Sequence, residues 1–355
     1  MNRYIWQQKG WPYLTWNNKE LLYVLGEVRN RQGRLAGKAC LLGLDLKKEI
    51  LLKTITADII KSAELDGKAP DENQVRASVA HSLKMHLSER SQINPAIDRM
   101  VRVMIEAMQN YRQPVTEDTL FNWRAALGWD EGNDRNDYRS IVIPDSEVAD
   151  DGLLYIQNPA IIPDEMRRFL RWLNTIHPTD PVIKAGVAYL RFTFIRPFNE
   201  HNGHIARILT NVLLTKADGF PQHLYSLSAQ ICKQKELYNR ILKRAQNGNL
   251  DITEWLLWFL YCFEAALIEA EDALTRMLEK SKFWEKYRLI RLNERQVRMI
   301  NLLWEGQDCK LTSSYWANIN LCSPDTALRD IQDLIRKKIL HRKSGGGRST
   351  CYGLN

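Results

Sequence analysis

Apolar residues recur at helical spacing along most of this chain, and that rhythm predicts a mainly α protein. Leu21, Leu22, Leu25 and Val28 mark a helix over about Asn18 to Ala39. Ile50, Leu51, Ile55, Ile59 and Ile60 repeat the pattern in a second helix, which the glycine at 67 should end. Gln74 to Leu87, Ala96 to Tyr111 and Thr116 to Leu127 read as three more, the last with a threonine cap and early acids Glu117 and Asp118. Upstream of all of them, Trp6, Trp11, Pro12 and Trp16 form an aromatic, irregular stretch expected to pack as a strap over later helices. Ser140–Ile143 and Leu153–Ile156 flank a polar, acidic turn and predict a β-hairpin.

Beyond the hairpin, Pro163 to Thr175 and Pro181 to Ile195 read as helices. The second is apolar on most sides, so it should be buried. It delivers the polar loop Arg196-Pro-Phe-Asn-Glu200, after which Ile205, Ile208, Leu209, Val212 and Leu213 open another apolar helix. Ile252 to Trp255 begins an aromatic-rich one, and Leu267 to Lys286 is helical and charged. Glu294–Trp304, Ser313–Ile319 and Pro324–Lys337 then give three short helices, with Ser323 capping the third and Pro324 in its first turn. Two strands, Ile339–Lys343 and Ser349–Leu354, surround a run of three glycines. That order fits a winged helix-turn-helix.

Composition narrows the class. At 355 residues the chain exceeds a single ordinary core and should hold two or three units. The expected division is a helical region at 1–90, a core at 91–265, a helical connector at 266–292 and a C-terminal module at 293–355. A net charge of +8 favours anionic partners such as nucleotide or nucleic acid. Six cysteines without C-x-x-C spacing point to reduced thiols rather than a zinc site or a disulfide framework. Without an apolar run of membrane-spanning length or a signal-peptide core, a soluble, cytoplasmic protein with no membrane partner is expected.

The candidate chemistry lies in Arg196-Pro-Phe-Asn-Glu200-His201-Asn202-Gly203-His204-Ile-Ala-Arg207. A loop entering a helix gathers backbone N–H groups and the positive end of a dipole, an arrangement that suits phosphate. The stretch resembles the signature of the Fic family of protein adenylyltransferases, His-Pro-Phe-x-Asp/Glu-Gly-Asn-Gly-Arg-x-x-Arg. Pro197, Phe198, Glu200, Asn202, Gly203 and Arg207 match, whereas Arg196, His201 and His204 replace the histidine, the first glycine and the first arginine.

The resemblance implies that position 196 holds the base that deprotonates a target hydroxyl as it attacks ATP. Arginine stays protonated and cannot take that proton. Glu200 would hold Mg²⁺, while His201, Asn202, Gly203, His204 and Arg207 would line the nucleotide phosphates, with a largely neutral His204 weakening the contact. Ser62-x-x-x-Asp66-Gly67 resembles the family's inhibitory Ser/Thr-x-x-x-Glu-Gly/Asn helix, whose acid pairs with the last arginine, here Arg207. The 140–156 hairpin stands where the family carries its flap, which aligns a target strand. Two other readings stay open: Arg196 as a phosphate or carboxylate clamp, and Glu200, His201 and His204 as a metal set.

The expected fold is therefore a Fic-like helical core with a small hairpin flap, an N-terminal inhibitory region and a C-terminal winged helix. The leading functional expectation is a degenerate Fic protein whose AMP transfer is strongly reduced or lost, with ATP and Mg²⁺ as its ligands, an unnamed target protein and a homodimeric state. The alternative is a DNA-binding regulator. Residues 293–355 carry ten Lys/Arg against six Asp/Glu, and Arg329, Arg336, Lys337 and Arg348 would meet phosphates. Asp325, Asp330 and Asp333 on the same helix argue against insertion in a groove and leave open a dimerising or protein-contact role.

Overall fold

The structure is a computed structural model that describes residues 4–85, 94–128, 137–140, 156, 158–220, 224–304, 311–343 and 351–355. Within them the chain forms helices α1 (Asn18–Cys40), α2 (Leu44–Leu65), α3 (Glu72–Ser82), α4 (Pro95–Gln109), α5 (Glu117–Leu127), α6 (Ile162–Asn174), α7 (Pro181–Ile195), α8 (Asn202–Asp218), α9 (Leu227–Lys233), α10 (Lys235–Asn247) and α11 (Thr253–Lys286). Helices α12 (Glu294–Trp304), α13 (Ser313–Ile319) and α14 (Pro324–Arg336) follow, then strands β1 (Leu340–Arg342) and β2 (Tyr352–Leu354). Two compact units result, Met1–Leu274 and Thr275–Asn355, and α11 runs without a break through the expected core boundary at 265.

The first unit is built around α7 and α8. Their faces are apolar nearly all round, from Val182 to Ile195 and from Ile205 to Leu214, so neighbours must cover them on every side. At Gly186 a Cβ would lie 2.9 Å from the Phe259 ring and 3.0 Å from Leu256, so only glycine lets α7 approach α11 this closely. The buried Gly186 carbonyl accepts from the Trp255 indole N–H at 2.9 Å. A satellite core joins α2, α3 and α4 through Ile55, Ile59, Val75, Val79, Val101 and Met104.

The N-terminal strap packs as its aromatic content predicts. Trp6 lies against Phe194 with ring centroids 5.5 Å apart, the Trp11 indole donates to Glu165 at 2.9 Å, and Thr15 bridges to Asp251. Helices α9 and α10 fill a stretch that the sequence pattern left unassigned. The expected hairpin over 140–156 lies outside the described residues except for Ser140 and Ile156.

The second unit encloses its own core, centred on Trp316, Ile331 and Leu334. Ser323 caps α14 by accepting from the Thr326 amide at 3.2 Å, with Pro324 in the first turn. β1 and β2 pair antiparallel, Leu340 opposite Leu354. Arg348 and the glycine run at 345–347 lie outside the described residues.

Candidate functional site

The site forms where α2 ends, α7 ends and α8 begins. α2 stops in a Schellman turn: the Lys68 N–H donates to Ala63 O at 2.9 Å, the Gly67 N–H to Glu64 O at 3.1 Å, and Gly67 takes the left-handed φ of 75° that such a turn needs. This turn fixes Asp66 as the last residue before the chain reverses. One turn earlier, Ser62 is buried on the same face.

Two glycine-like backbone positions shape the loop, and neither carries glycine. Arg196 ends α7 at φ 43° and His201 precedes α8 at φ 63°, both left-handed. Such a conformation costs a residue with a side chain about 1–2 kcal/mol. Asn202 clamps the loop between them, donating to Phe198 O at 2.7 Å and accepting from the Phe198 N–H at 2.9 Å. The buried Phe198 ring packs against Tyr138 and Phe121, with centroids 5.9 and 6.0 Å away.

Arg207, one helical turn into α8, is buried and fully engaged by α2. Its Nη2 donates to Asp66 Oδ2 at 2.7 Å and to Ser62 O at 2.8 Å, while Nε donates to Ser62 Oγ at 2.7 Å. His204 completes the cluster, with Nδ1 3.2 Å from Ser62 Oγ and 3.7 Å from Asp66 Oδ2. Because Ser62 Oγ already accepts from Arg207, its own proton can go to His204 Nδ1, which favours the imidazole protonated at Nε2. Burial opposes charge on every member of this group. For Asp66 the Arg207 charge and the His204 contacts outweigh burial and hold the carboxyl well below its usual range. For Arg207 burial is likewise overcome by Asp66, and its pKa rises. For His204 burial wins, and the imidazole is neutral near pH 7.

Gly203 makes this cluster possible. A Cβ there would lie 2.8 Å from Asp66 Oδ1 and 3.0 Å from Arg207 Nη1, so the ion pair closes over the bare glycine.

The remaining predicted residues stand apart. Glu200 is 80% exposed, and its carboxylate is 3.7 Å from His201 Nε2. Burial, reinforced by the Lys68 charge, pushes the His201 pKa down to about 4. Among the described residues no three His, Cys, Asp or Glu side chains converge as a metal site. A Mg²⁺ held by Glu200 would therefore take most of its ligands from phosphates and water, the usual arrangement for that ion.

Two residues that sequence reasoning missed hold the site in place. Buried Asp58 accepts from Asn211 Nδ2 at 2.9 Å, Ser226 Oγ at 2.6 Å and the Ser228 N–H at 3.1 Å, tying α2 to α8 and to the start of α9. The one signal was an acid on the apolar face shared by Ile55 and Ile59. Arg139 brackets the loop: its amide donates to Pro197 O at 2.9 Å, its Nε to Arg196 O at 2.8 Å, and its Nη2 to Ile156 O. Ile156 in turn donates to Phe194 O at 3.1 Å, so one end of the expected flap segment is anchored on the loop and the other on the last turn of α7. Burial, then the Arg196 charge, lowers the Arg139 pKa to about 10. A cavity of about 430 Å³ opens beside the Asp66–Ser62–Arg207 latch that joins α2 to α8, with Lys68, Asp71, Asn94 and Met100 in its wall along with Asp66, His201 and His204.

Residues 114–214, which hold the loop, both flanking helices and Arg139, match the Fic/DOC family. These residues form a Fic/DOC domain within the chain. Residues 4–85 match a second family described as a domain of unknown function, DUF4172, so the Ser62–Asp66 helix lies outside the Fic match itself. Over 104 residues the chain is 35% identical to the protein adenylyltransferase Fic of Drosophila ananassae, and to that of Drosophila sechellia. That alignment covers 29% of this chain and only 19–20% of those longer relatives. The Fic-type fold recurs in a crystal structure of a Fic family protein from Desulfovibrio desulfuricans G20, with a TM-score of 0.55 and 18% identity over 97% of this chain and 98% of that one. A Fic domain containing signaling protein from Bacteroides thetaiotaomicron aligns with a TM-score of 0.51 and 18% identity over 74% and 98%.

In the second unit, α14 sorts its charges. Asp330 turns inward, accepting from Arg295 Nε at 2.8 Å and Asn293 Nδ2 at 2.8 Å. Asp333 accepts from Gln296 and Lys337. Lys337 is thus held within the unit, also donating to Arg291 O at 2.8 Å, while Arg329 and Arg336 face solvent. No helix among the described residues is long and apolar enough to cross a membrane.

Proposed function

We propose that this chain is a degenerate Fic protein. It descends from enzymes that move AMP from ATP to a protein hydroxyl, has lost that transfer, and keeps a nucleotide-binding loop under a closed latch. The observation that carries this reading is Arg196. A guanidinium at the base position cannot accept the proton of an incoming hydroxyl, whatever else the loop retains. Both cations that would meet a triphosphate are also withdrawn, since Arg207 is spent on Asp66 and Ser62 and His204 is uncharged. When bound, ATP would supply the AMP group and Mg²⁺ would neutralise its phosphates. This chain's own contribution would be the α8 N-terminus, Asn202 holding the loop, and Glu200 facing solvent.

Incubation with labelled ATP, Mg²⁺ and candidate protein acceptors tests the proposal. Neither the wild type nor Asp66→Gly, which opens the latch, should transfer label. Robust transfer by either would overturn the reading.

A second reading is favoured by the charge sorting on α14. We read α12–α14 with β1–β2 as a winged helix. Two of the three acids that argue against DNA contact are neutralised inside the unit, leaving Arg329 and Arg336 on the open face. Duplex affinity that falls steeply with salt, and falls again in Arg329→Ala/Arg336→Ala, would support a DNA-binding role. Salt-insensitive or absent binding would exclude it.

A further inference from the structure

Helix α1 has one face fully explained by this chain and one that is not. On the inner face Leu21, Val24, Val28 and Leu35 are buried, and Arg29 grips Asp180 with contacts of 2.9–3.0 Å. On the outer face Leu22 is 71% and Tyr23 77% exposed, and Leu41 just past the helix is 77% exposed. Between these residues lie Gly26, Gly33 and Gly37, three glycines within one exposed helix. A Cβ at any of them would meet nothing within 4 Å. Each weakens the helix relative to alanine. No neighbour among the described residues requires their smallness.

We propose that this face is the contact between two copies of the chain, packed with their α1 helices antiparallel about a two-fold axis at Asn30. The residue order is self-complementary in that arrangement only. At 100° per residue, Tyr23, Gly26, Asn30, Gly37 and Leu41 share one stripe. Reversal about Asn30 sets the Tyr23 ring of each copy over the partner's Gly37 and brings the two backbones close at Gly26 and Gly33, as an isologous interface demands. Charge follows the same rule. Along one flank of the stripe the N-terminal half carries Glu20 and Glu27 and the C-terminal half carries Arg34 and Lys38. The two-fold places acid against base at both ends, whereas a parallel pairing would stack like charges. Arg34 keeps 56% of its side chain exposed while paired to Glu271, so it can reach a second carboxylate.

The test uses the full chain and one substitution with opposite effects on the two states. Gly33→Gln adds a better helix former in open space, so the folded monomer should be at least as stable, with an equal or higher melting temperature in dilute solution. At the two-fold, the same side chain blocks close approach. Sedimentation should find the wild type dimeric at micromolar concentration and Gly33→Gln with a dissociation constant raised tenfold or more. In a Cys40→Ser background, which removes the one exposed thiol among the described residues, Asn30→Cys should give a disulfide-linked dimer under mild oxidation, and adding Gly33→Gln should abolish it. A monomeric wild type, a dimer indifferent to Gly33→Gln, or the absence of Asn30→Cys cross-linking would each overturn the proposal.

Discussion

Arg207 and Asp66 meet at 2.7 Å across the unsubstituted Cα of Gly203, so the ion pair that closes the α8 N-terminus depends on a residue with no side chain of its own. The pair joins two segments 141 positions apart in sequence. Ser62 holds the same guanidinium through both its hydroxyl and its carbonyl, and His204 fills the remaining side. The result is a buried cation with three contacts from one helix end, a geometry in which removal of one partner leaves an uncompensated charge.

Gly203→Ala should therefore force the pair apart and cost about 1–3 kcal/mol, the usual range for overpacking a close contact. The same change in an Asp66→Gly background should cost much less, because the obstructed carboxylate is gone. Urea denaturation of the two single variants and the double variant checks this, with a coupling energy above about 0.5 kcal/mol expected for groups in contact.

At His201 the substitution runs the other way. The residue sits at φ 63°, so His201→Gly should relieve strain and stabilise the fold by up to about 1 kcal/mol, offset in part by the greater freedom of glycine in the unfolded chain. A rise in melting temperature is the expected result.

Acid should weaken the fold in a defined window. Both His201 and His204 have pKa values lowered by burial, the first to about 4. Below the ordinary histidine value of about 6.5, the unfolded chain takes up protons that the folded chain refuses, so stability falls as pH drops. The loss from His201 should run from about pH 6.5 towards about 4, with full stability retained above. Melting temperatures across that range should decline less steeply in His201→Gln than in the wild type. Protonation of Asp66 adds a further loss only at lower pH, because its folded pKa is held below the usual carboxylate range.

Asp58→Ala should be among the most damaging single changes in the first unit. It removes the acceptor for Asn211, Ser226 and the Ser228 amide, leaving buried donors unpaired at about 1–3 kcal/mol each. Hydrogen exchange should show the start of α9 losing protection along with α8.

Much of the helical framework was legible because α1, α2 and α4 repeat apolar residues at helical spacing and α7 is an apolar run of helical length. The signature loop was legible because its substitutions stand out against a fixed pattern. Other features were set by tertiary contacts that no local pattern encodes. Gly203 resembled a loop glycine, yet it serves the approach of Asp66 from another helix. Asp330 and Asp333 looked like surface acids opposing nucleic acid, yet they bind Arg295, Asn293, Gln296 and Lys337 inside the second unit. Asp58 carried no sequence reading at all, and it proved to be the tie between α2, α8 and α9. Helix α10, with only Ile241, Leu242 and Gln246 buried, is too polar for its core-facing stripe to stand out.

Calorimetric titration of ATP, with and without Mg²⁺, into the wild type and Asp66→Gly tests the central claim most directly, because the latch withholds Arg207 from any phosphate. The account predicts weak binding by the wild type and affinity raised at least tenfold, about 1.4 kcal/mol, when Asp66 is removed. Equal affinities in the two proteins would contradict it.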